Sequence, residues 1–237
     1  MPEEEQEPTL EELLEQLKDE YDQDVRKKAA ETLGKLKETR AVEFLIAALQ
    51  DEFPEVRWQV AETLGEICDK KAVDSLISIL QNEEEVYRVK EEVVKSLGKL
   101  GDPIAIEPLV KEMLKGNEDS EVNWEAAIAL GQLGEPALEP LLIALHHEDF
   151  DIRWRTEEAL SILGKPAVEP LIMILQSENE DIEVRKSAAS ILGEIGDKQA
   201  IKPLIRAIKN PPWEVSRVSA KALEMLKEFI VSNLMSQ

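Results

Sequence analysis

The sequence predicts an all-α fold, an α-solenoid of about seven stacked antiparallel helix pairs with atypical capping helices at its ends. The main observation is a motif of the form apolar–basic–x–x–small–small–x–x–Leu–Gly–x–apolar that returns every 30 to 33 residues. A second apolar segment with helical spacing follows the motif. One such helix pair cannot bury its apolar face alone, so units of this period stack on their neighbours. The copies begin with Val25, Val56, Val89, Val122, Ile152, Val184 and Val215.

The motif itself is predicted to be a helix that packs on about half of its circumference. In the first copy, Val25, Ala29 and Leu33 fall on one apolar stripe at about 100° per residue. Ala30 and Gly34 form a strip of small residues beside it. Small side chains let a neighbouring helix approach closely, as expected inside a stack.

The segment after the motif predicts a second helix, with apolar residues spaced as in 41–49, 72–80 and 200–208. Glycines stand between the two helices of a pair, where they favour a helix end. These glycines are Gly101, Gly134, Gly164 and Gly196. Prolines recur early in the second helix, where the first turn tolerates them. They are Pro108, Pro140, Pro170 and Pro203.

The two ends of the chain differ from the middle, as capping repeats do. Residues 1–8 are acidic and are expected to be disordered. Thr9 and Glu12 have the spacing of a capping box, which predicts a lone first helix. Near the other end Ser216 replaces the basic residue and Glu224 replaces the glycine. We expect a single solenoid over residues 9–237, with repeats beginning near 24, 55, 88, 121, 151, 183 and 214.

The composition indicates the class of partner. The formal net charge is −22, from 50 acidic and 28 basic residues, and such a field repels nucleic acids and anionic lipids. A protein or peptide is therefore the expected partner, and the charge favours one of basic character. No apolar run approaches the roughly 18 residues of a membrane helix. One cysteine and an acidic start favour a cytoplasmic protein, and the expected oligomeric state is a monomer.

Aromatic residues occupy two fixed positions of the motif, although they make up only 4% of the chain. Two interpretations remain open: the rings pack between neighbouring repeats, or they anchor a partner. Acidic and basic residues are mixed around them, which suits a protein surface. The candidate partner-binding residues are Trp58, Tyr87, Trp124, Phe150, Trp154, Trp213, Arg155, Glu62, Glu91 and Glu125.

A second set of candidates is structural. An arginine follows the first apolar residue in four copies of the motif, at Arg26, Arg57, Arg153 and Arg185. The position falls within the packed arc, where an arginine needs acidic or carbonyl partners. We therefore expect these residues to form hydrogen bonds between successive repeats.

The sequence favours neither an enzyme nor a metal or cofactor site. His146 and His147 are the only histidines, and we interpret them as part of a solvated loop between repeats. Cys68 stands close to the acidic Glu66 and Asp69, which disfavour a reactive thiolate. There is also no phosphate-binding glycine loop and no nucleophilic serine in a strand-to-helix turn.

The motif resembles the HEAT-like repeats of the phycobilisome-lyase type over about residues 9–230. The best copy reads Val184-Arg185, Ala188-Ala189, Leu192-Gly193, Ile195-Gly196-Asp197, Ala200-Ile201 and Pro203-Leu204-Ile205. The resemblance implies an α-solenoid whose motif helices line a concave groove that binds partners. It leaves two functions open. The first is a non-enzymatic scaffold for a protein or peptide, and the alternative is a bilin lyase subunit or a chromophore or assembly chaperone.

Some copies depart from this pattern. Lys90 and Asn123 replace the arginine, and Ser161 replaces the glycine. Larger residues take the place of the small pair at Val93-Val94 and Thr156-Glu157. We expect these changes to alter the local spacing of the helices.

Overall fold

The computed structural model describes residues 8–115, 120–210 and 212–235, and all regular structure in these ranges is helical. The predicted disorder concerns residues 1–8, of which 1–7 lie outside the described part. The predicted helix pairs are confirmed. The α-helices are α1 (Leu10–Gln16), α2 (Gln23–Lys35), α3 (Val42–Ala48), α4 (Pro54–Ile67), α5 (Val73–Gln81), α6 (Tyr87–Leu100), α7 (Ile106–Met113), α8 (Ser120–Leu133), α9 (Leu138–Ala144), α10 (Phe150–Leu163), α11 (Val168–Gln176), α12 (Ile182–Ile195), α13 (Ile201–Lys209) and α14 (Trp213–Met235).

The motif forms the even-numbered helices from α2 to α14, which we call the motif helices. The odd-numbered helices from α3 to α13 run back beside them and are called the return helices. Before them, α1 begins at a capping box, in which the Thr9 side chain accepts from the Glu12 backbone and the Glu12 side chain accepts from the Thr9 backbone. The predicted capping box is therefore confirmed.

The turn inside each described helix pair has a residue with a positive φ angle at one fixed place, twelve residues after the first apolar residue of the motif. The φ angles there lie between 49° and 75°. Glycine takes this conformation without strain, and four of the six turns use it. The six residues are Lys37, Cys68, Gly101, Gly134, Gly164 and Gly196. A short 3-10 turn follows and leads into the return helix, so the sharp reversal is encoded locally.

The chain forms two compact units, residues 1–129 and 130–237, with the boundary inside α8. The single solenoid domain expected over residues 9–237 stays a prediction.

In unit 1, the motif helices α2, α4 and α6 pack side by side. Hydroxyl groups tie them together, because Thr63 Oγ1 donates to the Ala30 carbonyl at 2.9 Å and Ser96 Oγ donates to the Ala61 carbonyl at 2.8 Å. Both hydroxyls belong to the residue just before the motif leucine, so the same kind of hydrogen bond recurs between successive motif helices.

In unit 2, the motif helices α10, α12 and α14 also pack side by side, and the glycine of the motif lies at the contact. A Cβ atom on Gly193 would lie 2.7 Å from the Cα of Ala222. That distance is shorter than real Cβ contacts, and the opposing atom is backbone that cannot rotate away. The small strip predicted from the sequence therefore sets how closely α12 and α14 approach.

We expect Gly193→Ala to lower the free energy of unfolding by about 1–3 kcal/mol, because the new methyl group forces α12 and α14 apart. Chemical denaturation followed by circular dichroism measures the change. Ser161 occupies the same motif position on α10 and already carries a Cβ, so Ser161→Ala is the matched control. Its expected loss is about 1 kcal/mol or less, for one exposed hydrogen bond. Equal losses in the two variants would contradict the close-contact explanation.

Candidate partner-binding surface

The aromatic side chains of the motif lie on the motif helices, but their exposure differs. Trp58 and Trp124 in unit 1 are half-buried. The other four rings are more than half exposed: Tyr87 at 58%, Phe150 at 67%, Trp154 at 55% and Trp213 at 66%. The motif leucines of the same helices are almost completely buried. The motif helices thus have an inner face that is buried and an outer face on which large aromatic rings are exposed to solvent.

Trp58 has the contacts of an inter-repeat packing residue. Its ring lies 5.7 Å from Lys27 Nζ of α2 and 4.7 Å from the Arg88 guanidinium carbon of α6. A cation over each such ring contributes about 0.5–1 kcal/mol at an exposed site. Trp58 therefore links three consecutive motif helices, and for this residue the geometry favours packing between repeats.

The acidic candidates of unit 1 are held by neighbouring side chains. Lys95 Nζ lies 2.5 Å from Glu91 Oε1 and 3.7 Å from Glu125 Oε1, which ties α6 to α8. Glu62 accepts a hydrogen bond of 2.7 Å from Gln59 Nε2. All three glutamates are half-buried, so they contribute to the contacts of the helix layer as well as to the protein surface.

Unit 2 presents its rings differently. Phe150 and Trp154 lie on α10, and Trp213 lies at the start of α14. An arginine one turn along the same helix approaches two of these rings: Arg153 lies 5.9 Å from the Phe150 centroid and Arg217 lies 5.6 Å from that of Trp213. The rings remain mostly exposed, so unit 2 displays an aromatic and cationic surface.

One predicted contact residue needs correction. The sequence predicts that Arg155 lies on the binding surface, but its side chain is buried, with 5% of the residue exposed. Its Nε donates to the Asp151 carbonyl at 3.2 Å, and burial lowers the pKa of the guanidinium. The residue stands three positions after the first apolar residue of its motif, where Gln59 and Glu92 are buried too. On these three helices the position is buried in the helix layer.

The arginines of unit 1 form a continuous chain of contacts at one edge of the helix layer. Arg26 makes a bidentate pair with Asp51, with distances of 2.6 and 3.0 Å, and donates to the Asp19 carbonyl at 2.7 Å. Arg57 makes the same kind of pair with Glu85, at 2.8 and 2.6 Å, and donates to the Asp51 carbonyl at 2.6 Å. Each arginine thus joins the loop before its helix to the loop after its helix pair.

In unit 2 the corresponding arginines bond to main-chain carbonyls. Arg153 Nη1 donates to the carbonyls of His147 and Glu148, both at 2.8 Å, and Arg185 Nε donates to the Leu175 carbonyl at 3.2 Å. Within the described residues of unit 2, neither arginine forms an ion pair with a carboxylate. The carboxylate-linked chain is therefore a property of unit 1.

The histidines lie in the loop after α9 and are exposed. His146 Nε2 lies 3.2 Å from Glu180 Oε1, and His147 Nδ1 accepts from the Asp149 backbone at 3.0 Å. Throughout the described ranges, no group of three or more His, Cys, Asp or Glu side chains is placed to hold a metal ion. No described helix combines the length and apolar character needed to cross a membrane.

Two glutamates of the motif helices stand out because burial raises their pKa. Glu92 on α6 is 8% exposed and accepts no hydrogen bond from the described residues. The nearby Lys99 and Lys95 lower the pKa of Glu92, whereas Glu62 and Glu91 raise it. The other residue is Glu157 on α10, which is half-buried. Sequence reasoning did not select either residue, because a buried carboxylate has no signature in the residue pattern.

We expect Glu92→Gln to raise the melting temperature at pH 7. The folded-state pKa of Glu92 lies above its ordinary value, so the charged form opposes folding at neutral pH. The advantage of the variant should shrink as the pH falls through the folded-state pKa and the wild-type carboxyl becomes protonated. Thermal melts between pH 4 and pH 8 test this, with the exposed Glu55→Gln on α4 as control. A gain that stays constant across this pH range would contradict the explanation.

Comparison with known proteins gives one family and several structures. The family model for HEAT repeats matches residues 10–88, 83–161, 107–182 and 168–232. No curated protein shows a significant match. The complex of CpcE and CpcF of phycocyanin lyase from Nostoc sp. PCC7120 is 26% identical, with a TM-score of 0.54, covering 94% of this chain and 90% of the other.

Two further structures are similar at lower identity. The archaeal HEAT-like repeats protein from Thermococcus onnurineus NA1 is 13% identical, with a TM-score of 0.51, covering 94% of this chain and 98% of the other. Human deoxyhypusine hydroxylase is 21% identical, with a TM-score of 0.40, covering 91% and 95%. The archaeal structure supports the fold alone.

Proposed function

The chain belongs to the HEAT repeat family, and we propose that it is a non-enzymatic scaffold that binds a protein or peptide on the outer face of its motif helices. Under this proposal, the outer face is the partner-binding side that the resemblance implies for the motif helices. The observation that carries the proposal is the exposure of Phe150, Trp154 and Trp213 on unit 2. Rings of this size are the side chains that most often dominate protein interfaces.

The exposed rings support a partner because folding does not need them in that position. The core of α10, which carries two of these rings, is already filled by Ile152, Ala159 and Leu160, which are almost completely buried. A tryptophan that is more than half exposed leaves much of its apolar area in contact with water. Burial of that area by a partner would stabilise the complex by about 25 cal/mol per Å². The family's use of stacked helices as binding surfaces agrees with this interpretation.

The rigidity of the surface also supports binding. Described turns within the helix pairs are short, and the side chains of Glu38, Asp69, Asp102 and Asp197 accept backbone N–H bonds there. At the start of α10, which carries Phe150 and Trp154, the Asp149 side chain likewise accepts from the backbone N–H groups of Asp151 and Ile152. A preformed surface loses little conformational entropy when a partner binds, which raises affinity without new contacts.

The two interpretations of the tryptophans predict different results for different residues. We expect Trp154→Ala and Trp213→Ala to weaken binding of library-selected peptides by about ten-fold or more, roughly 1.4 kcal/mol, with little change in melting temperature. Trp58→Ala should instead lower the melting temperature, because Trp58 contacts Lys27 and Arg88. Fluorescence anisotropy and thermal melts measure the two effects. Unchanged peptide affinity together with reduced stability for Trp154→Ala would refute its role as an anchor.

A lyase subunit or chromophore chaperone is the second candidate function. The similarity to the phycocyanin lyase complex favours it, because that match covers most of both chains at 26% identity. That structure is a complex of CpcE and CpcF, so a second lyase-type subunit is a further candidate partner here. No described residue of this chain requires a bilin ligand.

Absorbance spectroscopy distinguishes the two functions. The chain is incubated with a bilin and its apoprotein, with and without a second lyase-type subunit. A scaffold that does not act on chromophores should leave the visible spectrum of the mixture unchanged and yield no covalent adduct after denaturation. A chain-dependent bilin adduct would overturn the non-enzymatic assignment in favour of the second candidate.

A further inference from the structure

We infer that a cleft on unit 2, between α10, α12 and α14, receives a lysine or arginine side chain of a polypeptide partner. The inference rests on the proposed function, since it assigns a binding position on the same outer face of the motif helices. Its lining is Phe150, Arg153, Glu157, Glu183, Lys186, Ser187, Ser190 and Val218.

The size and walls of the cleft fit one long side chain. Its volume is about 170 Å³, well below the roughly 300 Å³ at which pockets for small-molecule ligands begin. Phe150 stands at the cleft with 67% of its surface exposed, and Val218 is half-buried. These two apolar groups suit the methylene stem of a basic side chain, which packs on apolar surface while its head stays polar.

Carboxylates near the cleft are positioned by hydroxyl groups. Glu157 accepts a hydrogen bond from Ser187 Oγ, which is itself only 6% exposed. Glu194 accepts from Ser161 Oγ at 2.6 Å and from Ser190 Oγ at 3.4 Å, so α10 and α12 both contribute. A hydroxyl fixes the direction of a carboxylate but leaves its negative charge in place. Two oriented carboxylates with that charge are suited to a guanidinium or an ammonium group.

The lining holds two cations and two carboxylates, and Glu194 adds a third negative charge near Glu157, so the local balance is negative. Arg153 donates to two main-chain carbonyls and lies over Phe150. Lys186 Nζ lies 2.7 Å from Glu183 Oε2, one turn earlier on α12. Neither cation is hydrogen-bonded to Glu157, although both lower the pKa of that carboxyl through space. The closest bond to the Glu157 carboxylate is therefore the neutral one from Ser187.

Burial raises the pKa of Glu157, and the negative charge of Glu194 raises it further. An incoming cation would favour the charged form, so binding and ionisation of Glu157 support each other. A metal ion is a weaker fit, because the described residues hold no cluster of three or more suitable ligands. The overall charge of −22 also favours a basic partner over an acidic one.

A selection from a random peptide library against the full chain tests the inference. We expect the selected peptides to be enriched in Arg and Lys. Glu157→Gln keeps an oxygen that accepts from Ser187 but removes the charge, so it should weaken binding of those peptides by about ten-fold or more at pH 7. Replacing the required Arg by citrulline in the peptide should cause a similar loss. Glu169→Gln on α11 is the matched control, since Glu169 is exposed on a return helix, and it should leave affinity unchanged.

The outcomes separate this inference from the proposed function. Peptides that bind but show no basic enrichment, or that bind Glu157→Gln within about two-fold of wild type, would overturn the basic subsite and leave the scaffold in place. A library that yields no binder would overturn both. Thermal melts of each variant establish that the fold is intact, and a loss of affinity in Glu157→Gln with an unchanged melting temperature supports the subsite.

Discussion

The close approach of neighbouring motif helices is the constraint on which the rest of the structure depends. It requires a small residue where one helix meets the backbone of the next, as Gly193 meets Ala222 in unit 2. In unit 1 the same approach brings the hydroxyls of Thr63 and Ser96 within bonding distance of carbonyls on the preceding helix. Since those carbonyls already belong to helices, these bonds add orientation without any cost to secondary structure.

This approach decides which side chains of the motif remain available to a partner. Four of the residues three positions after the first apolar residue are buried, namely Gln59, Glu92, Arg155 and Ser187. Residues one position earlier stay at the margin of the contact, as Trp58 and Trp154 do. These two neighbouring positions lie about 100° apart around the helix and therefore differ in burial.

The sequence is informative about repeated features and weak about single ones. The period of the motif predicts the helix pairs, and the spacing of Thr9 and Glu12 predicts the capping box, because each depends on local geometry. The burial of Arg155 was not predicted, because the wheel angle of one helix does not show how far its neighbour overlaps it. The position of Glu157 beside Ser187 escaped prediction for the same reason, since 30 residues and a complete helix pair separate them in sequence.

Two side chains at the same position of the motif can have different surroundings, because the neighbouring helices differ in sequence. Trp58 and Trp154 follow their first apolar residue by the same two positions. The helix after Trp58 offers Arg88, whose long cationic side chain reaches the indole ring. The helix after Trp154 has Glu183 at that place, and this carboxylate cannot stack on a ring and pairs with Lys186 instead. Trp58 is half-buried and Trp154 is 55% exposed, and the charge of the residue at this place on the next motif helix is one difference between their surroundings.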